Sequence, residues 1–272
     1  MHPRLAVLAC LCLVVAGCSG GAPGGEPRTV NPALAETPTA SPTPDASDLP
    51  PGVSEARVDL QTLLATHQSA LSDRSLTHDL DRRYVTPNGT VRAHVVERTR
   101  ADPIRLYRTT TVEGDWGANV ATVGGNRSVW RNDTLTVQRF DGDAASVVVD
   151  TEVPSRRGYD ATGASTLADL LGPYTLAYDG TVTRDGQTLH RLTLGDVREP
   201  SVPLRRNLTV SVFVTPSGIV DAATVRYRTT EFGPTVWVTA QFGLSNVSAT
   251  TVPRPAWVDA ALAERENSSR RR

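Results

Sequence analysis

The chain has 272 residues, with 28 arginines and no lysine against 29 acidic residues, so its formal net charge is −1. A balance this close to zero excludes a strongly basic nucleic-acid binder. Without lysine there is no Walker A loop, Schiff-base lysine or Ser–Lys dyad, because each needs that amine. Apolar residues at 39% and aromatic residues at 5% fall below globular averages, which indicates that part of the chain contributes little to a core.

The amino terminus has the features of an export signal. Basic Met1–Arg4 precedes an apolar run, Leu5–Ala16, which is shorter than the roughly 20 residues needed to span a bilayer. Val15-Ala-Gly-Cys18 is similar to a lipobox, the cleavage site beside a lipidated cysteine. We predict a signal peptide over residues 1–17, lipidation of Cys18 and anchoring to the outer face of the cell membrane. An ordinary signal peptide with an incidental cysteine is the alternative.

Cleavage of the signal peptide would leave few cysteines in the mature chain. Cys10 and Cys12 lie inside the predicted signal peptide, so the mature chain keeps Cys18 alone. We therefore expect no intrachain disulfide, no catalytic thiol and no cysteine-bound metal.

Composition divides the rest of the chain. Residues 18–51 are rich in Gly, Pro, Ser and Thr and poor in apolar residues, which predicts a disordered tether after the lipidated cysteine. Residues 52–262 suit one domain with a sizeable core. Residues 263–272 are predicted to form a disordered charged tail.

The domain begins with a predicted amphipathic helix. Its apolar stripe follows the spacing i, i+3, i+4, i+7 and i+11 and consists of Leu60, Leu63, Leu64, His67 and Leu71. Asp59 or Ser54 is placed to cap its start. For His67 we favour a packed, hydrogen-bonded core histidine over a ligand or a base, because it lies on that stripe.

After the helix the apolar period becomes two, which predicts strands. Asn88-Gly89 is a strong hairpin signal between residues 75–86 and 90–100. Further strands are predicted over residues 103–112, 128–131, 135–140 and 145–149, with turns at Asn132-Asp133 and residues 141–143. His78 and His94 are expected on polar strand faces, at the surface.

The carboxyl half predicts a meander of three strands with one apolar face. The strands cover residues 208–214, 219–230 and 235–242, with a turn at Pro216–Gly218. A helix is predicted over Ala164–Leu171, capped by Thr166 and stopped by Gly172-Pro173, and a last helical turn follows Pro253.

No catalytic signature is present. The five histidines form no HExxH motif and the serines no GxSxG motif. Asp141 and Asp143 flank a glycine, which is more typical of a turn than of a cation site. We therefore predict no enzyme, metal, cofactor or nucleic-acid partner.

Asparagines form an unusual number of glycosylation sequons. Six of the eight begin N-x-S/T: Asn88, Asn126, Asn132, Asn207, Asn246 and Asn267. We predict glycosylation of some of them. The alternative is that asparagine, which favours turns, simply precedes the serine and threonine of surface strands.

Several stretches together resemble cell-surface lipoproteins of unknown function from haloarchaea. They are the lipobox, the Thr/Pro tether, Leu49–Val53, Leu64–His67 with Leu71, Ser128–Arg131 before Leu135–Phe140, and Pro253–Trp257. An actinobacterial lipoprotein of the LppX/LprG kind is the open alternative.

The resemblance implies the LolA/LppX-like fold. This is an α+β fold with a strongly curved antiparallel half-barrel, an N-terminal amphipathic helix and one or two short helices on the concave face. Members hold lipid between sheet and helices, so we expect a groove for a lipid-like ligand. Its predicted lining is Leu60, Leu63, Leu64, His67, Leu71, Val210, Val212, Val225, Tyr227, Val236 and Val238. The alternative is a structural or interaction lipoprotein of the envelope with a fully packed core.

Overall fold

A computed structural model describes residues 49–114, 126–141, 146–150, 160–197, 205–231 and 233–271. The helices are α1 Leu60–Leu71, α2 Ala164–Leu171 and α3 Ala256–Arg270. The strands are β1 Leu76–Val85, β2 Val91–Ala101, β3 Leu106–Gly114, β4 Asn126–Arg131, β5 Thr136–Asp141, β6 Ser146–Asp150, β7 Tyr174–Arg184, β8 Gln187–Val197, β9 Arg206–Val214, β10 Val220–Thr229 and β11 Val236–Ser245. Cys18, the predicted signal peptide, most of the predicted tether and Asp143 lie outside the described residues.

The strands form one antiparallel sheet in the order β6-β5-β4-β3-β2-β1-β11-β10-β9-β8-β7. Neighbours in the sheet are neighbours in sequence except where β1 meets β11 and places Leu80 opposite Phe242. The sheet is curved and unclosed, with β6 and β7 at its edges. The predicted α+β fold class is therefore confirmed.

The two faces of the sheet carry different helices. We call the face that packs against α1 and α2 the inner face; it includes Phe242, which contacts His67 of α1 through a ring–ring distance of 6.4 Å. Cross-strand register extends this face through His78, Thr99, Arg108, Val129, Gln138 and Val148. On the opposite, outer face, Trp130 and Val137 pack against Val258 and Ala261 of α3.

Helix α1 forms where its apolar stripe predicted it. The carboxylate of Asp59 accepts hydrogen bonds from the backbone N–H groups of Gln61 at 3.1 Å and Thr62 at 3.2 Å, so Asp59 and not Ser54 is the N-cap. Its buried residues are Leu60, Leu63, His67 and Leu71. Burial of each leucine contributes about 1.5–3 kcal/mol, which fixes the helix on the sheet.

Three predicted hairpin turns are confirmed, and most of the turn predicted at residues 141–143 lies outside the described residues. Residues 86–90 connect β1 to β2, and Gly89 has a φ of +87°, which glycine adopts without strain. Turns at residues 132–135 and 215–219 likewise connect β4 to β5 and β9 to β10. In the last three strands, Val210, Val225 and Ala240 occupy neighbouring inner-face positions.

Strands β7 and β8 have no counterpart in the sequence prediction. They meet at Asp185 and Gly186, both in the left-handed region, with φ of 51° and 78°. Their register shifts between Tyr178 and Thr181, around Gly180. This irregularity breaks the alternation of apolar and polar residues on which strand prediction depends.

Two helix ends differ from expectation. Gly163, with a φ of +84°, is the N-cap of α2, so the prediction of Thr166 was wrong. Helix α3 continues to Arg270 over 15 residues, so residues 263–270, predicted to be disordered, are helical and exposed. Among the described residues, no helix is long and apolar enough to cross a membrane.

Candidate functional site

The residues predicted to line a groove lie in the hydrophobic core. All of them except Leu64 are at most 8% exposed, and Leu64 is half-buried. Leu63 of α1 belongs to the same buried cluster as Val212, Val225 and Val238 of the sheet. A ligand groove among these residues stays a prediction.

Farther along the inner face, apolar side chains remain accessible. Val95 and Val112 face each other across β2 and β3 and are half-buried. Phe140 on β5 is 36% exposed and Val148 on β6 is 49% exposed. We call these four side chains the apolar strip. Helices α1 and α2 therefore seal the inner face over β9–β11 but leave the apolar strip accessible.

Polar groups lie beside the apolar strip. The guanidinium of Arg127 is 5.3 Å from the centroid of the Phe140 ring, and its Nη2 donates a hydrogen bond of 2.6 Å to Oε1 of Gln138. On the neighbouring strands, Nε of Arg108 is 3.5 Å from the carboxylate of Glu97. This part of the face is consequently amphiphilic.

A pocket of about 500 Å³ lies at the turn end of the same strands. Its walls are Gln68 and Ser72 of α1 and residues 102–106, 131–133 and 160–162. Leu106 and Arg131 are cross-strand partners on the inner face. We call this site the corner pocket. It combines apolar side chains with Asp and Arg side chains of both charges.

Residues 160–162 form one wall of the corner pocket, and we call residues 160–163 the strap. The carboxylate of Asp160 accepts hydrogen bonds from the backbone N–H of Thr162 at 2.8 Å, from its hydroxyl at 2.6 Å, and from the backbone N–H of Ser165. Burial raises the pKa of Asp160, but these hydrogen bonds outweigh it and hold the pKa below its usual value. Arg108 fixes the strap to β3 by donating to the carbonyl of Asp160 at 3.2 Å.

His67 connects α1 to the strap and to β10. Its Nδ1 accepts a hydrogen bond of 3.1 Å from the backbone N–H of Val220. The proton therefore resides on Nε2, which donates to the carbonyl oxygen of Thr162 at 3.0 Å. Burial lowers the pKa of His67 and favours this neutral form. The interpretation as a packed core histidine is confirmed.

His78 is fully buried, so its predicted place at the surface was wrong. Its ring stacks on Phe242 at 5.6 Å, and neither ring nitrogen has a hydrogen-bond partner among the described residues. Burial is the main cause that lowers the pKa of His78 to about 4, with the charge of Arg108 acting in the same direction. His94, by contrast, is half-buried, and its Nε2 lies 3.1 Å from the carboxylate of Asp81.

Local backbone structure explains asparagine at four of the six sequons. Oδ1 of Asn88 and Oδ1 of Asn132 accept hydrogen bonds from backbone N–H groups two residues later, at 3.3 and 3.1 Å. Asn207 and Asn246 have φ of 52° and 51°, a region that asparagine tolerates. Asn126 and Asn267 are exposed. Glycosylation of any sequon stays a prediction.

No group of three or more histidine, cysteine, aspartate or glutamate side chains that could hold a metal ion is found in the part of the chain that the structure describes.

A profile of the Family of unknown function (DUF7537) matches residues 4–261, and the chain belongs to that family. No curated protein matches it in sequence. Among solved structures it is similar to LprF from Mycobacterium bovis, at 14% identity and a TM-score of 0.35, over 72% of this chain and 97% of that one. It is also similar to a LolA superfamily protein from Nitrosomonas europaea, at 12% identity and a TM-score of 0.24, over 72% and 96%. A third similarity is to a putative outer membrane lipoprotein-sorting protein domain from Vibrio parahaemolyticus, at 10% identity and a TM-score of 0.24, over 72% and 94%.

Proposed function

We propose that this protein is an extracytoplasmic lipoprotein, anchored through acyl chains on Cys18, that binds an apolar or amphiphilic ligand such as a lipid and performs no catalysis. The observation that carries the proposal is the uneven covering of the inner face. Over β9–β11 that face is sealed by a packed core, whereas the apolar strip is accessible. The corner pocket opens on the same strands.

The free energy of burying apolar surface favours binding of a ligand that covers the apolar strip. Each Å² of apolar surface removed from water contributes about 25 cal/mol, so a ligand that covers the exposed parts of Phe140 and Val148 gains free energy. The corner pocket, at about 500 Å³, has the size of typical small-molecule sites. Arg127 and Gln138 supply the few polar groups that orient such a ligand.

Two titratable side chains at or near the corner pocket, His67 and Asp160, are held in structural hydrogen bonds, which supports binding rather than catalysis. Both ring nitrogens of His67 are used in hydrogen bonds that connect α1, the strap and β10. The carboxylate of Asp160 holds the turn before α2. A general base must be free to take a proton from a substrate, and these two groups are not.

Two neighbouring valines of β6 provide the test. Val148 is 49% exposed on the inner face, and Val147 is 45% exposed on the outer face of the same strand. Val148→Arg should weaken the binding of a fluorescent fatty acid about tenfold or more, because it places a charge in the apolar strip. Val147→Arg should leave the affinity unchanged.

Binding is measured by titration of the detergent-extracted full-length protein, together with native mass spectrometry for co-purifying lipid. Equal affinities of the two variants for the fatty acid would show that it binds outside the apolar strip. Failure of the wild-type protein to take up the fatty acid or to retain any lipid would reject the proposal.

A second candidate function, an interaction module of the cell envelope, is favoured by the dense packing of α1 against β9–β11. Leu63, Val212 and Val238 are completely buried there. A folded protein that binds neither the fatty acid nor a co-purifying lipid would support this candidate.

A further inference from the structure

The outer face of the sheet carries a group of exposed arginines. Arg226 and Arg228 lie on β10 and Arg206 begins β9, and all three side chains are exposed. They face away from the core that α1 and α2 cover, because Tyr227 between them points into that core. None of the three forms an ion pair with another described residue.

A β-bulge places Arg206 in this group. Arg226 lies opposite Thr209, but Arg228 lies opposite Arg206, so three residues of β9 span the distance of two on β10. Asn207 is at the bulge, with a φ of 52°. Without the bulge, the two-residue period would turn Arg206 to the inner face, together with Val210. Bulges commonly redirect a side chain in this way.

The result is a local excess of positive charge in a chain whose net charge is −1. Like charges on directly opposite strand positions, as at Arg206 and Arg228, repel each other. The cross-strand neighbour of Arg226 on its other side is Thr239, which is uncharged and also faces Arg83 of β1. Arg83 has Asp81 at 3.2 Å as a counter-ion. An external anion would relieve the repulsion among the other three arginines.

An aromatic ring lies within the same group. The guanidinium of Arg226 is 4.9 Å from the ring centroid of Trp237, which is half-buried and is the cross-strand neighbour of Arg228. Tryptophan beside long cationic side chains is typical of protein surfaces at the membrane–water interface, where the ring and the aliphatic stems enter the headgroup layer.

We propose that Arg206, Arg226, Arg228 and Trp237 form a docking surface for the anionic headgroups of a phospholipid bilayer. The contact is separate from the apolar strip and the corner pocket, and it does not need acylation of Cys18. An arginine close to an anionic leaflet increases binding about fivefold, so the three together account for about a hundredfold.

The test uses residues 18–272, the predicted mature chain, with Cys18→Ser, so that neither the lipidated cysteine nor the apolar signal peptide is present in any sample. The variant Arg206→Gln/Arg226→Gln/Arg228→Gln is compared with a control that loses the same charge at exposed arginines outside the docking surface, Arg74→Gln/Arg254→Gln/Arg270→Gln. Co-sedimentation is measured with phosphatidylcholine vesicles that contain or lack phosphatidylglycerol. Circular dichroism verifies that each variant is folded.

We expect the docking-surface variant to bind the anionic vesicles about a hundredfold more weakly, and the control to bind within about threefold of the parent protein. Salt should weaken parent binding to the anionic vesicles, because the contact is electrostatic. Equal losses in the two variants, or no loss in either, would overturn the proposal. If the parent protein binds polyglutamate but not anionic vesicles, the membrane proposal is wrong and the surface binds an acidic polymer instead.

Discussion

Gly163→Ala separates steric crowding from backbone strain at the strap. Gly163 has a φ of +84°, and a Cβ built there would lie 2.7 Å from Cε2 of Phe242 and 3.3 Å from Cγ of His78. Gly180 has nearly the same φ, +85°, but nothing lies within 4 Å of its Cβ position. Gly180→Ala therefore places an alanine at a similar positive φ without the contact.

The two costs can be estimated. An alanine in the left-handed region costs about 1–2 kcal/mol, and both variants pay it. The contact with Phe242 adds overpacking of about 1–3 kcal/mol, because the ring lies in a close-packed core with little room to shift. We expect Gly163→Ala to lower the free energy of unfolding by about 2–5 kcal/mol, and Gly180→Ala by about 1–2 kcal/mol.

Equilibrium unfolding in urea, followed by far-UV circular dichroism, measures both values. The comparison requires that the slope of the unfolding free energy against urea concentration be the same for the two variants. A changed slope indicates a change in the unfolded ensemble. If Gly163→Ala and Gly180→Ala lose the same stability within about 0.5 kcal/mol, the strap does not press on the ring of Phe242 and our account of it is wrong.

Two further predictions concern the buried histidines and the anchor. Burial lowers the pKa of His78 from 6.5 to about 4, so its stabilising contribution is complete above pH 6.5 and is lost, by about 3 kcal/mol, as the pH falls toward 4. In urea unfolding at pH 7 and 4.5, His78→Leu should reduce the change of the unfolding free energy with pH, and at pH 7 it should leave that free energy almost unchanged. His67→Leu should lower the free energy of unfolding by about 2 kcal/mol or more at pH 7, because it removes two buried hydrogen bonds. An unchanged pH dependence in His78→Leu would contradict the assignment. Cys18→Ser should abolish acylation and release the protein or leave an uncleaved precursor, as seen by immunoblot of membrane and soluble fractions; an acylated, membrane-bound variant would show that Cys18 is not the lipidated residue.

Elements with a local signal could be predicted from the sequence. The hairpin at Asn88-Gly89 and the meander that contains Val210 and Val225 depend on turn chemistry and strict alternation, both of which a short window of sequence contains. Strands β7 and β8 were missed although Asp185-Gly186 is itself a hairpin signal. The irregularity around Gly180 hides the alternation that would have drawn attention to that turn.

The candidate site was less predictable, because it depends on which part of each face the helices cover. His78 shares the strand phase of Leu76 and Tyr84, and this phase could have indicated its burial. The accessibility of Val148 could not be predicted, because apolar residues occupy both faces of β6. Only the packing of α1 and α2 decides that the inner face is sealed over β9–β11 and accessible farther along.

The strand order has a consequence for how the chain acquires its structure. Strands β1–β6 can pair one after another as hairpins, and so can β7–β11, but β1 pairs with β11 across almost the whole domain. During synthesis β1 emerges long before β11, which begins at Val236, so the edge of β1 that pairs with β11 stays unpaired until β11 has been made. Closing so long a loop makes this step slow compared with hairpin formation. We expect the pairing of β1 with β11, which joins the two meanders, to limit the folding rate. Until then the unpaired edge of β1 should be the part of the incomplete chain that aggregates most readily.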